Sequence, residues 1–313
     1  MSRHGHDHDH GLDPPRVEEV ADRVFAYIQP DGTWFINNAG FMVADDGIVA
    51  VDTCSTERRT RAFLDAANAV SDAPVRTVVN THHHGDHTHG NYLTHPATII
   101  AHENCREVMV GSGIQHYDGI FEPADWGDLE LAPPTVTFTD QVNVWVGDLK
   151  VELHYIGGAA HTTNDVVAWV PERRTLFSGD LVFNGGTPFV VMGSVAGSFE
   201  ALDRMRQFDA EVIVPGHGPV CTPAIFNDLE AYYRFVQEAA AEAKATGTSA
   251  LYAARQLDLG AFAELTDAER IVGNLHRAMY ELDGGEHGGP MDVAAAIADM
   301  VTFNGGRPLR CLA

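Results

Sequence analysis

The sequence predicts a mixed α/β domain over residues 16–222, followed by an all-helical extension over 223–313. Two observations predict it. Short apolar or alternating runs, separated by turn pairs, recur up to about residue 222. From Pro223 onward only helical spacing of apolar residues remains. Material for a core is ample, since 45% of the 313 residues are hydrophobic, an ordinary share for a globular chain. A chain of this length forms one large domain, or one domain with an appendage.

The elements follow in order. Residues 1–15 alternate His with Asp or Gly and end in Pro14-Pro15, the composition of a disordered polar tail; His4, His6, His8 and His10 give it at most a loose hold on metal ions. Val24–Ile28, Phe35–Val43 and Gly47–Asp52 read as strands, separated by Asp31-Gly32 and Asp46-Gly47. Thr56–Val70 reads as a helix with Phe63, Leu64, Ala67 and Val70 on one face. Arg76–Asn80 and Thr98–Ala101 are short buried strands, and Glu103–Val110 is a short helix. Residues 111–134, rich in Gly, Pro and aromatics, are expected to be a long surface loop of the kind that covers substrates. Strands resume at Thr135–Thr139. Val142–Val146 and Lys150–Ile156 form a hairpin about Gly147-Asp148, and Asp165–Val170 pairs with Thr175–Ser178. After a glycine-rich loop at 184–197, Ser198 is expected to cap a helix running to about Phe208. Glu211–Val214 is the last strand. Beyond it, Ile225, Leu229, Tyr232, Val236 and Ala240 mark one face of a long helix. Further helices are expected near 249–256, 266–282 and 291–302. This helical part would cover the α/β part, pair two copies of the chain, or both.

Charge excludes several functions. Lys and Arg number 20 against 44 Asp and Glu, a net of -24. A nucleic acid or an anionic membrane needs a basic patch, so neither is expected as a partner. Cys54, Cys105, Cys221 and Cys311 lie far apart with no CxxC, which fits a reducing, cytoplasmic setting. The first fifteen residues hold no apolar segment of a secretory signal, and no run of about 18 apolar residues is present to span a membrane.

Chemistry concentrates in Thr81-His82-His83-His84-Gly85-Asp86-His87, directly after the strand Arg76–Asn80. Four histidines and an aspartate in six residues are foreign to a core, and imidazole and carboxylate both suit zinc and similar divalent ions. Three further residues sit near predicted strand ends beside glycines: His161 in Gly157-Gly-Ala-Ala-His161, Asp180 in Ser178-Gly-Asp180, and His217 in Pro215-Gly-His217-Gly218. Glycine permits the sharp turns that aim a side chain into a crevice. His89, His95, His102, His116, His154, His276 and His287 are expected to be surface or hydrogen-bonded residues rather than ligands.

In this order the seven residues resemble the metallo-β-lactamase fold superfamily, whose pattern is H-x-H-x-D-H followed by a distant His, Asp and His. The resemblance spans about residues 17–222. It implies a four-layer αβ/βα sandwich with two divalent metals at one edge of its two sheets, here followed by the C-terminal helical extension. It implies that His82, His84 and His161 hold the first metal and Asp86, His87 and His217 the second, with Asp180 bridging. His83 would point away, and Asp52 would support the metal loop from behind. Zinc is the expected metal, with iron or manganese fitting the same donors. The implied activity is hydrolysis by a metal-activated hydroxide attacking an ester or thioester carbonyl, with Asp86 and Asp180 as catalytic carboxylates. His116, Phe121, Trp126, Phe183 and Phe189 are candidates for the substrate pocket, being in or beside the loops near the ligands.

Ligand identity narrows the choice. An aspartate at 180 resembles thioesterases, lactonases and glyoxalase II, whereas the best-known β-lactamases carry cysteine there and a lysine shortly after. The chain's two lysines, Lys150 and Lys244, lie elsewhere. No basic C-terminal patch of the glyoxalase II kind is present. Thr187-Pro-Phe-Val-Val-Met-Gly-Ser-Val-Ala-Gly197, Asn274-Leu-His-Arg-Ala-Met and the ending Asn304-Gly-Gly…Cys311-Leu-Ala look like the lactamase-fold cyclase/thioesterases of aromatic polyketide pathways. That likeness implies an apolar acyl substrate, small or carrier-protein-bound. The alternatives are a lactonase of acyl-homoserine type, an iron-dependent oxidoreductase on the same fold, and a non-catalytic module whose metals only stabilise it.

Overall fold

A computed structural model describes residues 11–313. The first ten residues of the expected His/Asp-rich tail lie outside the described part. The first sheet contains β1 (Arg16–Ala21), β2 (Val24–Ile28), β3 (Ala39–Ala44), β4 (Gly47–Val51), β5 (Val75–Val79), β6 (Thr98–His102) and β7 (Val136–Phe138), in that spatial order. The first four pair antiparallel. From β4 to β7 the pairing is parallel, because α1 (Glu57–Val70), α2 (Gly85–Thr88) and α3 (Glu103–Ser112) lie in the intervening connections. The second sheet, in the order β12-β11-β10-β9-β8, comprises β8 (Gln141–Val146), β9 (Leu149–Tyr155), β10 (Val166–Val170), β11 (Thr175–Phe183) and β12 (Val212–His217). Only β11 and β12 pair in parallel there. The intervening chain forms α4 (Val195–Met205), and the extension forms α5 (Ile225–Thr246), α6 (Ala250–Gln256), α7 (Arg270–Leu282) and α8 (Val293–Phe303).

The sheets face each other. Ile28, Met42, Val49 and Val79 of the first interleave with Leu149, Val151, Leu153, Val166 and Phe177 of the second, all buried. Each such side chain contributes roughly 1.5–3 kcal/mol by leaving water. The outer face of the first sheet buries Phe41, Ile48 and Val78 under Phe63 and Ala67 of α1. The outer face of the second packs under α4 and α5, with α7 against both helices and α6 and α8 against α7. Central strands β4 and β10 are apolar at every position because both their faces are covered. The four-layer sandwich therefore forms as expected, and the C-terminal helices share one core with the second sheet.

Three element expectations are corrected. The Phe35–Val43 run becomes a strand only at Ala39. Residues Phe35–Asn38 are instead tied to the end of β12, where Asn38 donates through Nδ2 to the carbonyls of Pro215 and Gly218 at 2.9 and 2.6 Å. The predicted end of a strand at Ser178 is passed, and β11 runs to Phe183 because β12 extends beside it to His217. Helix α4 starts one turn early: Ser194, not Ser198, is the cap and accepts from Gly197 N at 2.8 Å. The long-range partner Glu281 on α7 fixes that start, accepting from the N–H groups of Val195 and Ala196.

Candidate metal centre and active site

Each candidate ligand arrives from a strand or the loop after it, all at the same edge of the sandwich. β5 delivers the His82–His84 loop and α2, the β9–β10 connection delivers His161, and β11 and β12 carry Asp180 and His217. Two glycines make room. A Cβ at Gly216 would stand 1.9 Å from Asp180 Oδ1, and Gly179, at φ +51°, lies where a Cβ would meet Thr81 Oγ1 at 2.6 Å.

The structure brings all seven side chains together in two groups: His82, His84, His161 and Asp180; and Asp86, His87 and His217. Within each group one donor atom per residue lies within 4.8 Å of the others. In the first, His84 Nδ1 lies 3.1 Å from His82 Nε2 and 2.9 Å from His161 Nε2. In the second, His217 Nε2 lies 3.3 Å from Asp86 Oδ2, and His87 Nε2 lies 3.7 Å from it. Asp180 stands between them. Its Oδ2 is 3.4 Å from both His161 and His217, and its Oδ1 is 3.1 Å from His87 Nε2.

Hydrogen bonds on the far side of the rings fix which nitrogens face inward. Carbonyls can only accept, so the contacts of His161 Nδ1 with Phe189 O (2.5 Å) and of His217 Nδ1 with Gly32 O (3.1 Å) place protons on Nδ1. Thr81 Oγ1 gives its proton to Asp52 Oδ2, which leaves a lone pair for His82 Nδ1–H at 3.1 Å. Asp52 also takes His87 Nδ1 at 2.8 Å. It therefore stands behind the metal loop, where a supporting carboxylate is expected.

The donor set fits cations. Inward-facing imidazole lone pairs crowd one another at hydrogen-bond distance. His87 Nε2 and Asp180 Oδ1, both buried, approach to 3.1 Å yet are not aligned to bond, and among the described residues neither has a hydrogen-bond partner. Buried polar atoms left in this way call for an ion between them. Charge says the same. Burial pushes the His217 imidazole down, but the Asp180 and Asp86 carboxylates together outweigh it and lift the group to about 9. His87 is raised well above the ordinary range because Asp180 and Asp52 outweigh its burial. Asp86 and Asp180 are held low, their burial outweighed mainly by His87 and His217. Burial leaves His82 and His84 neutral. Without metal, protons occupy the positions where positive charge is required.

The centre opens into a cavity of about 270 Å³. Phe121, Phe183 and Phe189 line it; His116 and Trp126 do not. His116 is exposed, its place on the loop turning it to solvent. Trp126 stands one layer back, its ring 4.9 Å from that of Phe35. His83 belongs to neither ligand group; it pairs with Asn164 and lies on the cavity wall. Sequence reasoning missed Trp34, Phe35 and Tyr117 on the wall and Val293 and Ile297 of α8. One signal was present: a Trp-Phe pair just after the Asp31-Gly32 turn. Phe35 holds φ +63°, a conformation bulky side chains rarely adopt, and its ring meets Tyr117 and Phe121, both at 4.9 Å. The expected covering loop is anchored by the C-terminal residues, since Leu309 exchanges backbone bonds with Ile120 and Glu122 at 2.8 Å. Among the described residues Arg270 is the one lysine or arginine on the wall. It is committed to Thr187 O and Asp267, both at 2.9 Å, and stacks 4.0 Å over Trp34.

Fold and centre together define a class, the lactamase-fold proteins with a paired metal site. The chain belongs to the metallo-beta-lactamase superfamily, whose family model matches residues 32–217. It is 25% identical over 215 residues to a linear primary-alkylsulfatase of a Pseudomonas species, a stretch covering 56% of this chain and 40% of that one. It is 28% identical over 207 residues to the alpha subunit of 2,4-dinitroanisole O-demethylase from a Nocardioides species, covering 64% and 55%. The chain thus spans about half or less of these curated relatives. A solved metallo-beta-lactamase from Pontibacter korlensis superposes with a TM-score of 0.59 at 20% identity, over 71% of this chain and 99% of the other, which is a likeness of fold.

Among the described residues no helix is long and apolar enough to cross a membrane. The four cysteines are free thiols.

Proposed function

We propose that the protein is a dinuclear metallohydrolase that cleaves the ester or thioester of an uncharged, apolar acyl compound. The observation that carries this reading is Asp180 standing between two groups of inward-facing donors at the floor of an aromatic-walled cavity. His82, His84 and His161 would hold one metal, Asp86, His87 and His217 the other, and Asp180 both. When bound, two divalent cations, zinc by preference, supply Lewis acidity and make water nucleophilic near neutral pH. The chain's own residues do the rest. Asp86, ionised and beside His217, is placed to accept a proton from the attacking water. Phe121, Phe183 and Phe189 exclude bulk water and pack the acyl group. Arg270 has Nη1 on Thr187 O and Nη2 beside Asp267, and its remaining Nε is buried, which disfavours a substrate carboxylate and favours neutral substrates.

The reading extends to residues 16–222 as the catalytic unit and 223–313 as the extension that walls its pocket. The cyclase/thioesterase resemblance makes a polyketide thioester, free or on a carrier protein, the substrate of choice. The free thiols favour the cytoplasm. A second copy pairing through the C-terminal helices would cover Tyr252 and Leu282, both exposed.

The experiment loads the protein with zinc, quantifies the metal, and assays acyl thioesters, aryl esters, lactones and a penicillin side by side. Thioester or ester turnover that is lost on chelation and regained with zinc is expected. Asp180→Ala should lower metal content and hydrolysis together while far-UV circular dichroism stays unchanged. Preference for lactones would move the assignment to lactonase, and bound iron with oxygen uptake would move it to oxidoreductase. A zinc-loaded protein inert on the whole panel would defeat the proposal.

A further inference from the structure

Helix α7 presents three polar residues along one buried stripe, Arg270, Asn274 and Arg277. Spacings of four and three place them on one helix face. All three are at most 1% exposed. Facing them is the segment 187–191, which belongs to no helix or strand. Its buried backbone groups need partners from elsewhere. Arg270 donates to Thr187 O at 2.9 Å. Asn274 donates to Pro188 O at 2.7 Å and accepts from Val190 N at 3.0 Å. Arg277 donates twice to Val191 O, at 3.1 and 2.7 Å. Among the described residues Arg277 has no carboxylate at ion-pair distance, and its third bond goes to Gly289 O. All three of its hydrogen bonds go to carbonyls, with the Tyr280 ring 5.2 Å from the guanidinium, and a buried cation without a paired carboxylate is expensive to keep. Its retention points to a task at Val191.

Two carbonyls in this run are not held by α7: that of Val190 accepts from Gly193 N at 2.9 Å, and that of Phe189 accepts from His161 Nδ1 at 2.5 Å. The Phe189 ring lies against Gly273 of the same helix, where an added Cβ would approach it to 3.1 Å. Resting on the metal-centre reading above, we infer that Asn274 and Arg277 are positioning residues for the first metal. They hold the 187–191 segment so that the Phe189 carbonyl fixes the tautomer and ring orientation of His161. The inference also accounts for the co-occurrence of the Thr187–Gly197 and Asn274–Met279 segments: one supplies the carbonyls, the other the donors. The C-terminal extension would thereby set the geometry of a site none of whose ligands it contributes.

The test titrates zinc into metal-free wild type, Asn274→Leu, Arg277→Met and Arg277→Lys against a chromophoric chelator, and records melting curves and visible spectra with cobalt. His276→Ala, which removes the pairing of His276 with Asp299 on α8, is the control. One of the two ions should bind about ten- to a hundredfold more weakly in Asn274→Leu and Arg277→Met, as for other residues that orient a ligand. The second ion should be unaffected, Arg277→Lys should recover part of the loss, and kcat should fall more than KM. Arg277→Lys alone keeps the test decisive where the harsher variants fail to fold. Folded variants that bind both ions as wild type does, or lose both together in proportion to their melting temperature, overturn the inference. A wild type that takes up no zinc overturns the metal-centre reading itself.

Discussion

Asp52 Oδ2 lies 2.8 Å from His87 Nδ1, and the two side chains are buried at the end of β4 and the start of α2. The same carboxylate takes the N–H and hydroxyl of Thr81, each at 2.7 Å. One side chain therefore orients the loop that carries four of the seven candidate ligands. Asp52→Asn keeps the shape but removes an acceptor, and should weaken metal binding by about ten- to a hundredfold. Competition against a chelator reads this directly. Unchanged affinity would mean that Asp52 only braces the fold.

Gly216 predicts a steric effect. An added Cβ would meet Asp180 Oδ1 at 1.9 Å and the backbone of Gly179 at 2.7 Å. Gly216→Ala should cost about 1–3 kcal/mol and displace Asp180, so that metal content falls below that of wild type while circular dichroism is kept. Full metal content in this variant would place the Asp180 carboxylate outside the centre.

Protonation gives a stability profile for the metal-free protein. His217 is raised to about 9, above the ordinary value of about 6.5. Its contribution is fully present below that ordinary value and is lost as pH rises through about 9. Asp86 and Asp180 are depressed; their contribution is present above the ordinary carboxylate range and is lost on acidification. Chelated protein should thus be most stable in mildly acidic solution and weaken through about pH 9. Zinc must displace the protons on His87 and His217, so its affinity should climb over the same alkaline window. Melting temperatures and zinc titrations across pH check both, and a flat profile above neutrality would contradict the charge assignment.

Two aromatic-loop residues separate wall from surface. Phe121 is 8% exposed and meets the rings of Trp34 and Phe35 at 5.1 and 4.9 Å. Phe121→Leu gives up aromatic contacts worth about 0.5–1.5 kcal/mol, so KM for an aromatic acyl substrate should rise up to about tenfold. His116→Ala should leave kcat and KM unchanged, because His116 faces solvent. A large effect at His116 would require the loop to close differently over substrate.

Residue pattern alone marked the strand–helix alternation up to residue 222 and the seven ligand candidates, while the four-layer order followed from the family resemblance that those seven carry. Periodicity is local, and a histidine–aspartate run after a strand has few structural explanations. Tertiary structure decided what depended on distant partners. Ser194 rather than Ser198 caps α4 because Glu281, far along the chain, holds its first N–H groups. Asp180 lies inside a strand because β12 runs beside it. Trp34 and Phe35 line the cavity, and Trp126 does not, because rings meet there from segments whose sequence separation says nothing of their distance. The hold of α7 on residues 187–191 is of the same kind: a segment without regular structure must find its hydrogen-bond partners elsewhere, and only the folded chain brings Asn274 and Arg277 to it.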